Sequence, residues 1–401
     1  MAKAAILGFG TVGSGVYEII KNKNFVDAVG EDVEVKYILD IRDFDDEEVN
    51  KYLTHDFNYI LNDKEVTVVA EVMGGLHPAY EFTKQLIENK KSVVTSNKEL
   101  VATYGPELLA LAKENNVSYM FEASVGGGIP VIRPMTICTK ANDIVRIAGI
   151  LNGTTNYILN EMFEKGKSFE DALKDAQEKG YAEKNPSADV DGHDACRKLA
   201  ILSSLAWGKF VDFKNIPTKG ITQISLEDVK YARSMNSVIK LIGYADLDEN
   251  GKIYATVSPM IVSNDILLSG VNDVFNAVMV RGNFLGDAVF YGRGAGKLPT
   301  ASAVVADILD CVRHFDTKKH NILWDTNDKD IMSDSEGKLS SFFVRAKDSV
   351  DDIKKIFGDV EVISVIDGEI GFIAKNITED LFNSNIEKLN SVISVIRILE
   401  A

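Results

Sequence analysis

The first part of the chain imposes the strongest constraint on the fold. In the stretch KAAILGFGTVGSGVYEIIKN, residues 3–22, an apolar run passes through Gly8, Gly10 and Gly13 into a helical pattern. Glycines placed between a strand and a helix permit a tight turn, close approach of a pyrophosphate and close helix packing, and the helix start supplies free amide groups to phosphates. The pattern predicts a dinucleotide-binding domain of the Rossmann type.

The second predicted strand, VEVKYILDIRD at residues 33–43, should end near the adenosine ribose of such a nucleotide. An acidic residue there favours NAD, whereas a nearby arginine favours NADP. Asp40 and Arg42 are both present. The sequence therefore leaves both cofactors open, and we favour NADP with Arg42 at the ribose.

Three further β-rich runs, at residues 65–75, 91–102 and 117–130, are separated by helical patterns. Strands that alternate with helices predict a parallel sheet, in which ligands bind at the carboxyl ends of the strands. The residues predicted to lie there are Gly74, Gly75, Thr95, Asn97, Lys98 and Gly126 to Gly128.

The rest of the chain no longer shows the regular alternation of strands and helices. We predict an α/β protein of three parts: a dinucleotide-binding domain at 1–135, completed by 298–318; an α+β domain at 136–297; and a ferredoxin-like βαββαβ module at 336–401, reached through a polar connector at 315–335.

The charge and composition exclude several kinds of protein. The formal net charge of −16 argues against a nucleic-acid surface or an anionic membrane as a partner. No apolar run approaches the roughly 20 residues of a membrane span, and the start of the chain does not resemble a signal peptide. The three cysteines have no short paired spacing, which fits a reducing compartment, and we expect a cytoplasmic protein.

The acidic stretch GYAEKNPSADVDGHDACRK, residues 180–198, at first suggests a calcium loop. Asp189, Asp191 and His193 alternate as early EF-hand ligands do, but Gly192 precedes the third ligand and Ala200 stands where a bidentate glutamate belongs. The spacing therefore excludes an EF-hand.

A helix is predicted to begin near Asp191 and to end at Gly208. Asp194 and Lys198 then share one helix face at i and i+4, which for most such pairs means only a weak exposed ion pair. The preceding loop is expected to bring Glu183 to the same helix end. Carboxylates that converge on a lysine can hold an ammonium substrate beside a proton donor.

The whole stretch resembles the signature of the homoserine dehydrogenase family. GFGTVGSG, VVTSNKELVA, EASVGGGIP, LNGTTNYIL and GAGKLPTASAVVADI are also similar to family motifs, in the family's order, over roughly residues 3–315. The resemblance implies reversible NAD(P)-dependent interconversion of L-homoserine and L-aspartate 4-semialdehyde, in the biosynthesis of threonine, methionine and isoleucine.

The resemblance also implies roles for single residues. It makes Lys198 the proton donor and Lys98 the second lysine of the site, near both nicotinamide and substrate. It implies Glu183 and Asp194 as ligands of the substrate ammonium, with Asp189 in support. The implied cofactor contacts are Gly8, Gly10, Thr11, Val12, Gly13, Gly74, Gly180 and Gly296. The implied sodium site consists of the Glu122 carboxylate and the carbonyls of Val125, Gly127 and Ile129.

Some features depart from the family pattern. YGRGAGK adds Arg293 and Lys297, whose roles stay open. The C-terminal module resembles an ACT regulatory domain but lacks the usual proline and glycine of its effector turn, so it serves dimerisation or has lost its ligand. Family members pair through the second domain, so we expect a homodimer. The alternatives are another semialdehyde dehydrogenase, a catalytically idle effector-sensing protein, and a cation-binding structural protein.

Overall fold

Two β-sheets organise the protein in a computed structural model that describes residues 1–315, 317, 322–328, 330–333 and 337–400. The first sheet is parallel throughout, with the order β3-β2-β1-β4-β5-β6. Its strands are β1 (Ala2–Leu7), β2 (Val33–Leu39), β3 (Leu53–Thr54), β4 (Val66–Glu71), β5 (Ser92–Thr95) and β6 (Tyr119–Met120). This is the strand order of a dinucleotide-binding fold.

Helices cover both faces of this sheet, as the alternating pattern predicts. They are α1 (Thr11–Asn22), α2 (Val26–Val29), α3 (Glu47–Asn50), α4 (Phe57–Asn62), α5 (Ala79–Glu88) and α6 (Lys98–Asn115). The turn from β1 into α1 depends on glycine. Gly8 has φ of +92°, and a Cβ on Gly13 would lie 2.0 Å from the Gly8 carbonyl oxygen.

The second sheet begins with five antiparallel strands in the order β11-β10-β7-β8-β9. They are β7 (Ile144–Ile150), β8 (Ser237–Leu247), β9 (Ile253–Ser263), β10 (Phe275–Gly282) and β11 (Gly286–Arg293). The helices of this part are α7 (Gly153–Lys165), α8 (Phe169–Glu178), α9 (Ser187–Val190), α10 (His193–Trp207) and α11 (Leu226–Ser234). Short turns of 3₁₀ helix lie at Glu122–Ser124, Phe213–Asn215 and Leu267–Gly270, and one π turn lies at Pro134–Cys138.

Helix α12 (Lys297–Arg313) returns to the first sheet. Gly15 of α1 allows the close crossing of the two helices, because a Cβ there would lie 2.8 Å from the Lys297 carbonyl oxygen. Ala301 and Ile308 of α12 belong to the same apolar core as Ile6 of β1. The predicted boundaries of the domains stay a prediction, and residues 316 and 318 lie outside the described residues.

The C-terminal module has the predicted βαββαβ order: β12 (Leu339–Ala346), α13 (Val350–Phe357), β13 (Glu361–Ile363), β14 (Ile370–Thr378), α14 (Glu379–Ile386) and β15 (Val392–Ile398). Its strands lie in the order β15-β12-β14-β13, as in a ferredoxin-like fold. Two pairs, Arg397 with Met260 and Ile398 with Ile261, join β15 to β9. The module therefore extends the second sheet to nine strands. Residues 336 and 401 and parts of the predicted connector lie outside the described residues.

No helix in the described ranges is long and apolar enough to cross a membrane.

Candidate active site

A buried lysine and aspartate lie at the start of α10. The helix follows Gly192, whose φ of +86° turns the chain into the helix without a side-chain cap. Nζ of Lys198 donates to Oδ2 of Asp194 at 2.8 Å and to the Leu151 carbonyl oxygen at 2.8 Å. The predicted pairing at i and i+4 is present, but it is buried, whereas most pairs of this kind are exposed.

Lys98 contacts the same carboxylate from the nucleotide-binding part. It is the first residue of α6, just beyond the carboxyl end of β5, and its Nζ lies 3.1 Å from Oδ1 of Asp194. The charge of Asp194 raises the pKa of Lys98. Although burial opposes ionisation of Asp194, Lys198 and Lys98 together hold the pKa of its carboxyl well below the usual range. Asp194 is therefore a shared anion between two cations.

Asn152 completes this cluster and was missed by the sequence reasoning. Its Nδ2 donates to Oδ1 of Asp189 at 2.7 Å and to Oδ2 of Asp194 at 2.9 Å. Its Oδ1 accepts from the Thr155 amide, which makes Asn152 the N-cap of α7. Asn before Gly-Thr-Thr is a recognisable helix start, but nothing in the sequence indicates that the amide faces two carboxylates. Burial raises the pKa of Asp189.

Glu183 and Gly180 lie in the loop between α8 and α9. The Glu183 side chain is exposed, and its carboxylate has no hydrogen bond or ion pair to a described residue. Gly180 has φ of +74° and follows Lys179, the C-cap of α8. The structure therefore does not bring Glu183 into contact with the lysine pair, and its role in binding the substrate stays a prediction.

The glycine-rich turn supplies unpaired amides to a phosphate. Gly10 is the N-cap of the 12-residue helix α1 and offers no side-chain cap, so the amides of Thr11, Val12 and Gly13 face outward from the helix start. Gly74, with φ of +81°, lies at the neighbouring strand end, after β4. These predicted cofactor residues thus lie at the carboxyl ends of β1 and β4.

Asp40 and Arg42 form one unit at the end of β2. Oδ1 of Asp40 accepts from Nε of Arg42 at 2.9 Å, and Oδ2 accepts from Nη2 at 2.9 Å and from the Phe9 amide at 2.7 Å. Arg42 holds the pKa of the Asp40 carboxyl well below its usual range. Both oxygens of Asp40 are therefore engaged, whereas the Arg42 side chain is 57% exposed.

The two cations near the last glycine cluster have partners. Nζ of Lys297 lies 2.6 Å from Oε2 of Glu18, so it links α12 to α1. The guanidinium of Arg293 lies over the Phe275 ring, 5.3 Å from its centroid. Gly296 lies between them with φ of +128°. Both cations thus have contacts that fix the glycine cluster in place.

The Glu122 loop has the donor set of a cation site. Oε1 of Glu122 accepts from the Val131 and Ile132 amides, while Oε2 accepts from one group of the described residues, the Arg133 amide, and keeps a lone pair. Three buried residues of the loop have carbonyls that accept no hydrogen bond from the described chain; they are Val125, Gly127 and Ile129. The residues present fit a hard monovalent cation.

A second buried carboxylate lies beside the Glu122 loop. Asp307 of α12 accepts from the Glu122 amide at 2.9 Å and from the guanidinium of Arg133 at 2.6 Å. Burial, together with the charge of Glu122, raises the pKa of Asp307 to about 7. The Arg133 guanidinium thus pairs with Asp307, whereas the described residues offer the Glu122 carboxylate only backbone amides. Glu122 has no cationic partner among them, which also favours a bound cation.

Two family models together match most of the chain. The family model described as "Homoserine dehydrogenase, NAD binding domain" matches residues 8–122, and the one described as "Homoserine dehydrogenase" matches residues 130–309. A homoserine dehydrogenase of Synechocystis sp. is 44% identical over 317 residues, which are 77% of this chain and 73% of the relative. The chain belongs to the homoserine dehydrogenase family.

Other homoserine dehydrogenases match almost the whole chain. One from Helicobacter pylori is 35% identical over 98% of this chain and 94% of its own length. The crystal structure of a homoserine dehydrogenase from Thiobacillus denitrificans has a TM-score of 0.89 at 36% identity and covers 100% of this chain and 98% of that chain. The likeness therefore includes the C-terminal module.

A homoserine dehydrogenase with a bound nucleotide is also similar. The structure of a hyperthermophilic archaeal homoserine dehydrogenase mutant in complex with NADPH has a TM-score of 0.68 at 31% identity, over 79% of this chain and 99% of that chain. Family membership confirms the predicted fold class and an NAD(P)-dependent oxidoreductase. It gives no support to a catalytically idle protein.

Proposed function

We propose that the chain interconverts L-homoserine and L-aspartate 4-semialdehyde with NADP as its preferred cofactor, at a site built around Lys198, Asp194 and Lys98. The observation that carries the site is the sharing of one buried carboxylate by two lysines on different helices, Lys98 on α6 and Lys198 on α10. Lys98 follows β5 of the nucleotide-binding sheet, and Lys198 lies on the helix that follows the carboxyl-rich loop.

The chemistry assigns a task to each group. A bound nicotinamide supplies or accepts the hydride at the substrate carbon. Nζ of Lys198 gives a proton to the oxygen that becomes the hydroxyl of homoserine, and takes it back in the reverse direction. Nζ of Lys98 places a second positive charge near that oxygen as negative charge develops on it. Asp194 keeps both ammonium groups in place.

The substrate ammonium requires a carboxylate that is not already engaged. Both oxygens of Asp194 accept hydrogen bonds or ion pairs from lysines and Asn152, which supports an orienting role for it in place of direct ammonium binding. Glu183 has an exposed carboxylate that bonds none of the described residues, and Asp189 is only half buried. We therefore assign the ammonium to Glu183 and Asp189, with Glu183 closing onto the substrate when it binds.

The preference for NADP is supported by the ion pair at the end of β2. An NAD site needs a carboxylate free to accept from the ribose 2′-hydroxyl, and both oxygens of Asp40 are engaged by Arg42 and Phe9. The exposed guanidinium of Arg42 is available to a 2′-phosphate.

Further parts of the proposal concern ions and assembly. The Glu122 loop would hold a structural sodium ion. The ion would fix this loop in place where its residue Gly127 packs against Gly294. A homodimer through the second domain is supported by exposed apolar side chains there, including Leu267 and Tyr291. The free cysteines fit the reducing cytoplasm.

The test is oxidation of L-homoserine by the purified protein with NADP and with NAD in parallel, measured by the absorbance of the reduced nicotinamide. We expect turnover with both, a higher kcat/KM with NADP, and loss of turnover in Lys198→Ala. Folded protein that gives no turnover with either nucleotide would contradict the proposal.

A further inference from the structure

Glu71, the last residue of β4, is a carboxylate that the proposed reaction leaves without a task. It is 0% exposed and makes no ion pair with any residue in the described ranges. Burial raises its pKa. Burial of a carboxylate without a cation costs free energy. A protein that contains such a carboxylate gains from it when its hydrogen bonds hold backbone segments in positions that apolar packing would not specify.

The contacts of Glu71 join the ends of two neighbouring strands. Oε1 accepts from the Met73 amide at 2.9 Å, and Oε2 accepts from Oγ1 of Thr95 at 2.7 Å. Thr95 ends β5, and its Oγ1 in turn accepts from the Asn97 amide at 2.9 Å. One carboxylate thus sets the relative position of the chain that leaves β4 and the chain that leaves β5.

Asn97 closes this network. Its Nδ2 donates to the Gly75 carbonyl oxygen at 2.6 Å, and its Oδ1 caps α6 by accepting from the Leu100 amide at 3.1 Å. The next residue is Lys98, the first residue of α6. The loop from Met73 to Gly75 and the start of α6 are therefore held in one hydrogen-bonded ring.

The loop needs such a restraint. Gly74 and Gly75 both have positive φ, at +81° and +72°, and a Cβ on either would meet no atom within 4 Å. Two adjacent glycines without close packing leave the backbone free to move. The ring through Glu71, Thr95 and Asn97 supplies the order that side-chain packing does not.

We propose that Glu71 is a positioning residue that fixes the Met73–Gly75 loop against the start of α6, and so sets where the nicotinamide lies relative to Nζ of Lys98. The inference rests on the proposed function, because Gly74 and Lys98 have these tasks only in that reaction. Its physical basis is the steep loss of rate when reacting groups are misplaced by about 1 Å, of the order of 100-fold.

The test uses Glu71→Gln, which keeps the shape of the side chain. The amide nitrogen of glutamine cannot accept, so either the Met73 amide or the Thr95 hydroxyl loses its partner. We expect kcat for homoserine oxidation to fall by about 10- to 100-fold, with a change in KM for homoserine of less than about threefold and a shifted pH–rate profile. The dissociation constant of NADPH, measured by fluorescence, should rise about 3- to 10-fold.

Variants at Thr95 test whether Glu71 acts through the hydrogen-bonded network. Thr95→Val removes both hydrogen bonds of the hydroxyl and should reproduce the loss in kcat, while Thr95→Ser keeps them and should retain most activity. The double variant Glu71→Gln with Thr95→Val should be no worse than the more damaged single variant, because residues of one network are not additive. Additive losses would contradict the network.

Glu161→Gln is the matched control. Glu161 is 3% exposed and bonds Lys165 and Lys167, with no contact to the network. It should lower the melting temperature but leave kcat and the pH profile unchanged. A Glu71→Gln protein that behaves in the same way would show that Glu71 is only structural.

Failure of the proposed function gives a different result. Wild-type protein that binds NADPH but does not oxidise homoserine would refute that function. The NADPH titration then judges the inference by itself. Equal affinities of wild type, Glu71→Gln and Glu161→Gln would overturn it, whereas weaker binding in Glu71→Gln alone would support its claim that Glu71 fixes the Met73–Gly75 loop beside the nucleotide.

Discussion

Lys98 and Asp194 form an ion pair between the nucleotide-binding part and the second part, with Nζ of Lys98 3.1 Å from Oδ1 of Asp194. Lys98 begins the helix after β5, whereas Asp194 lies in the first turn of α10. The other oxygen of the same carboxylate accepts from Lys198. The candidate site therefore exists only where the nucleotide-binding part meets the second part, and each of its three charges depends on the other two.

Replacement of Lys198 should abolish the reaction without weakening the binding of the nucleotide. We expect Lys198→Ala to lower kcat for homoserine oxidation by about 100- to 10,000-fold, because a positioned proton donor contributes that much. NADPH binding, measured by fluorescence, should stay within a factor of about two, since no predicted nucleotide contact is removed. Lys174→Ala, at an exposed lysine of α8, is the control. A variant that keeps a tenth of the wild-type rate would exclude Lys198 as the proton donor.

Asp194→Asn should destabilise the fold by an amount that is constant around neutral pH. The pKa of Asp194 is lowered in the folded state, so its contribution to the free energy of unfolding is complete above the unfolded pKa of about 3.9 and is lost as the pH falls below it. The pKa of Lys98 is raised, so its contribution is lost only above about pH 10.4. We expect a loss of about 3 kcal/mol between pH 5 and pH 9, measured by urea unfolding. A loss that varies with pH inside this window would contradict the assignment of the two pKa shifts.

Arg42→Leu should reverse the choice of cofactor. Loss of the guanidinium removes the proposed partner of the 2′-phosphate and frees the carboxylate of Asp40, so KM for NADP should rise by about 10- to 100-fold and KM for NAD should stay the same or fall. The ratio of kcat/KM for the two nucleotides is the measurement. Arg313→Leu, at the far end of α12, serves as the control. Equal changes with both nucleotides would refute a role in discrimination.

Sodium should stabilise the protein through the Glu122 loop. When sodium chloride is replaced by tetramethylammonium chloride at equal ionic strength, we expect the melting temperature to fall by several degrees, because a cation that binds only the folded state stabilises it by mass action. Glu122→Gln should have a lower melting temperature that no longer responds to sodium. The same response in both proteins would place the effect of sodium elsewhere.

Arg345 should hold the C-terminal module to the second part. Its guanidinium is 4% exposed and bonds Asp228 of α11 at 2.8 Å and Glu369 at 2.9 Å. Arg345→Ala leaves two buried carboxylates without a cation, so we expect the free energy of unfolding to fall by about 3 to 5 kcal/mol. Lys355→Ala, which breaks an exposed pair on α13, should cost less than about 1 kcal/mol. Similar losses in the two variants would refute an anchoring role for Arg345.

Local patterns predicted much of the fold correctly. The glycine-rich turn after β1, the alternation of strands and helices and the βαββαβ order at the C-terminus depend on neighbouring residues, so they can be read from the chain directly. The pairing of Asp194 with Lys198 was predictable for the same reason, because a helix places residues i and i+4 on one face. That pairing alone did not indicate whether the two side chains were buried.

The roles of other residues depended on long-range contacts. Asn152 is an ordinary helix cap in the sequence, and only the approach of α10 to the start of α7 brings Asp194 within 2.9 Å of its amide. Asp40 and Arg42 were both predicted near a ribose, but nothing in the local pattern indicated that the two side chains bond each other. The sequence does not single out Glu71, because Thr95, which donates to its carboxylate, lies at the end of another strand, 24 positions along the chain.

The sequence by itself determined the order of the elements, the nucleotide-binding turn and the family, since each is carried by short motifs and by periodicity. The tertiary structure alone decided which charges meet. It brought Lys98 to Asp194 across 96 positions of the chain, returned α12 to α1, and continued the second sheet into the C-terminal module through β15 and β9. The physical reason is that burial and electrostatic pairing depend on distance in space, which local patterning does not specify.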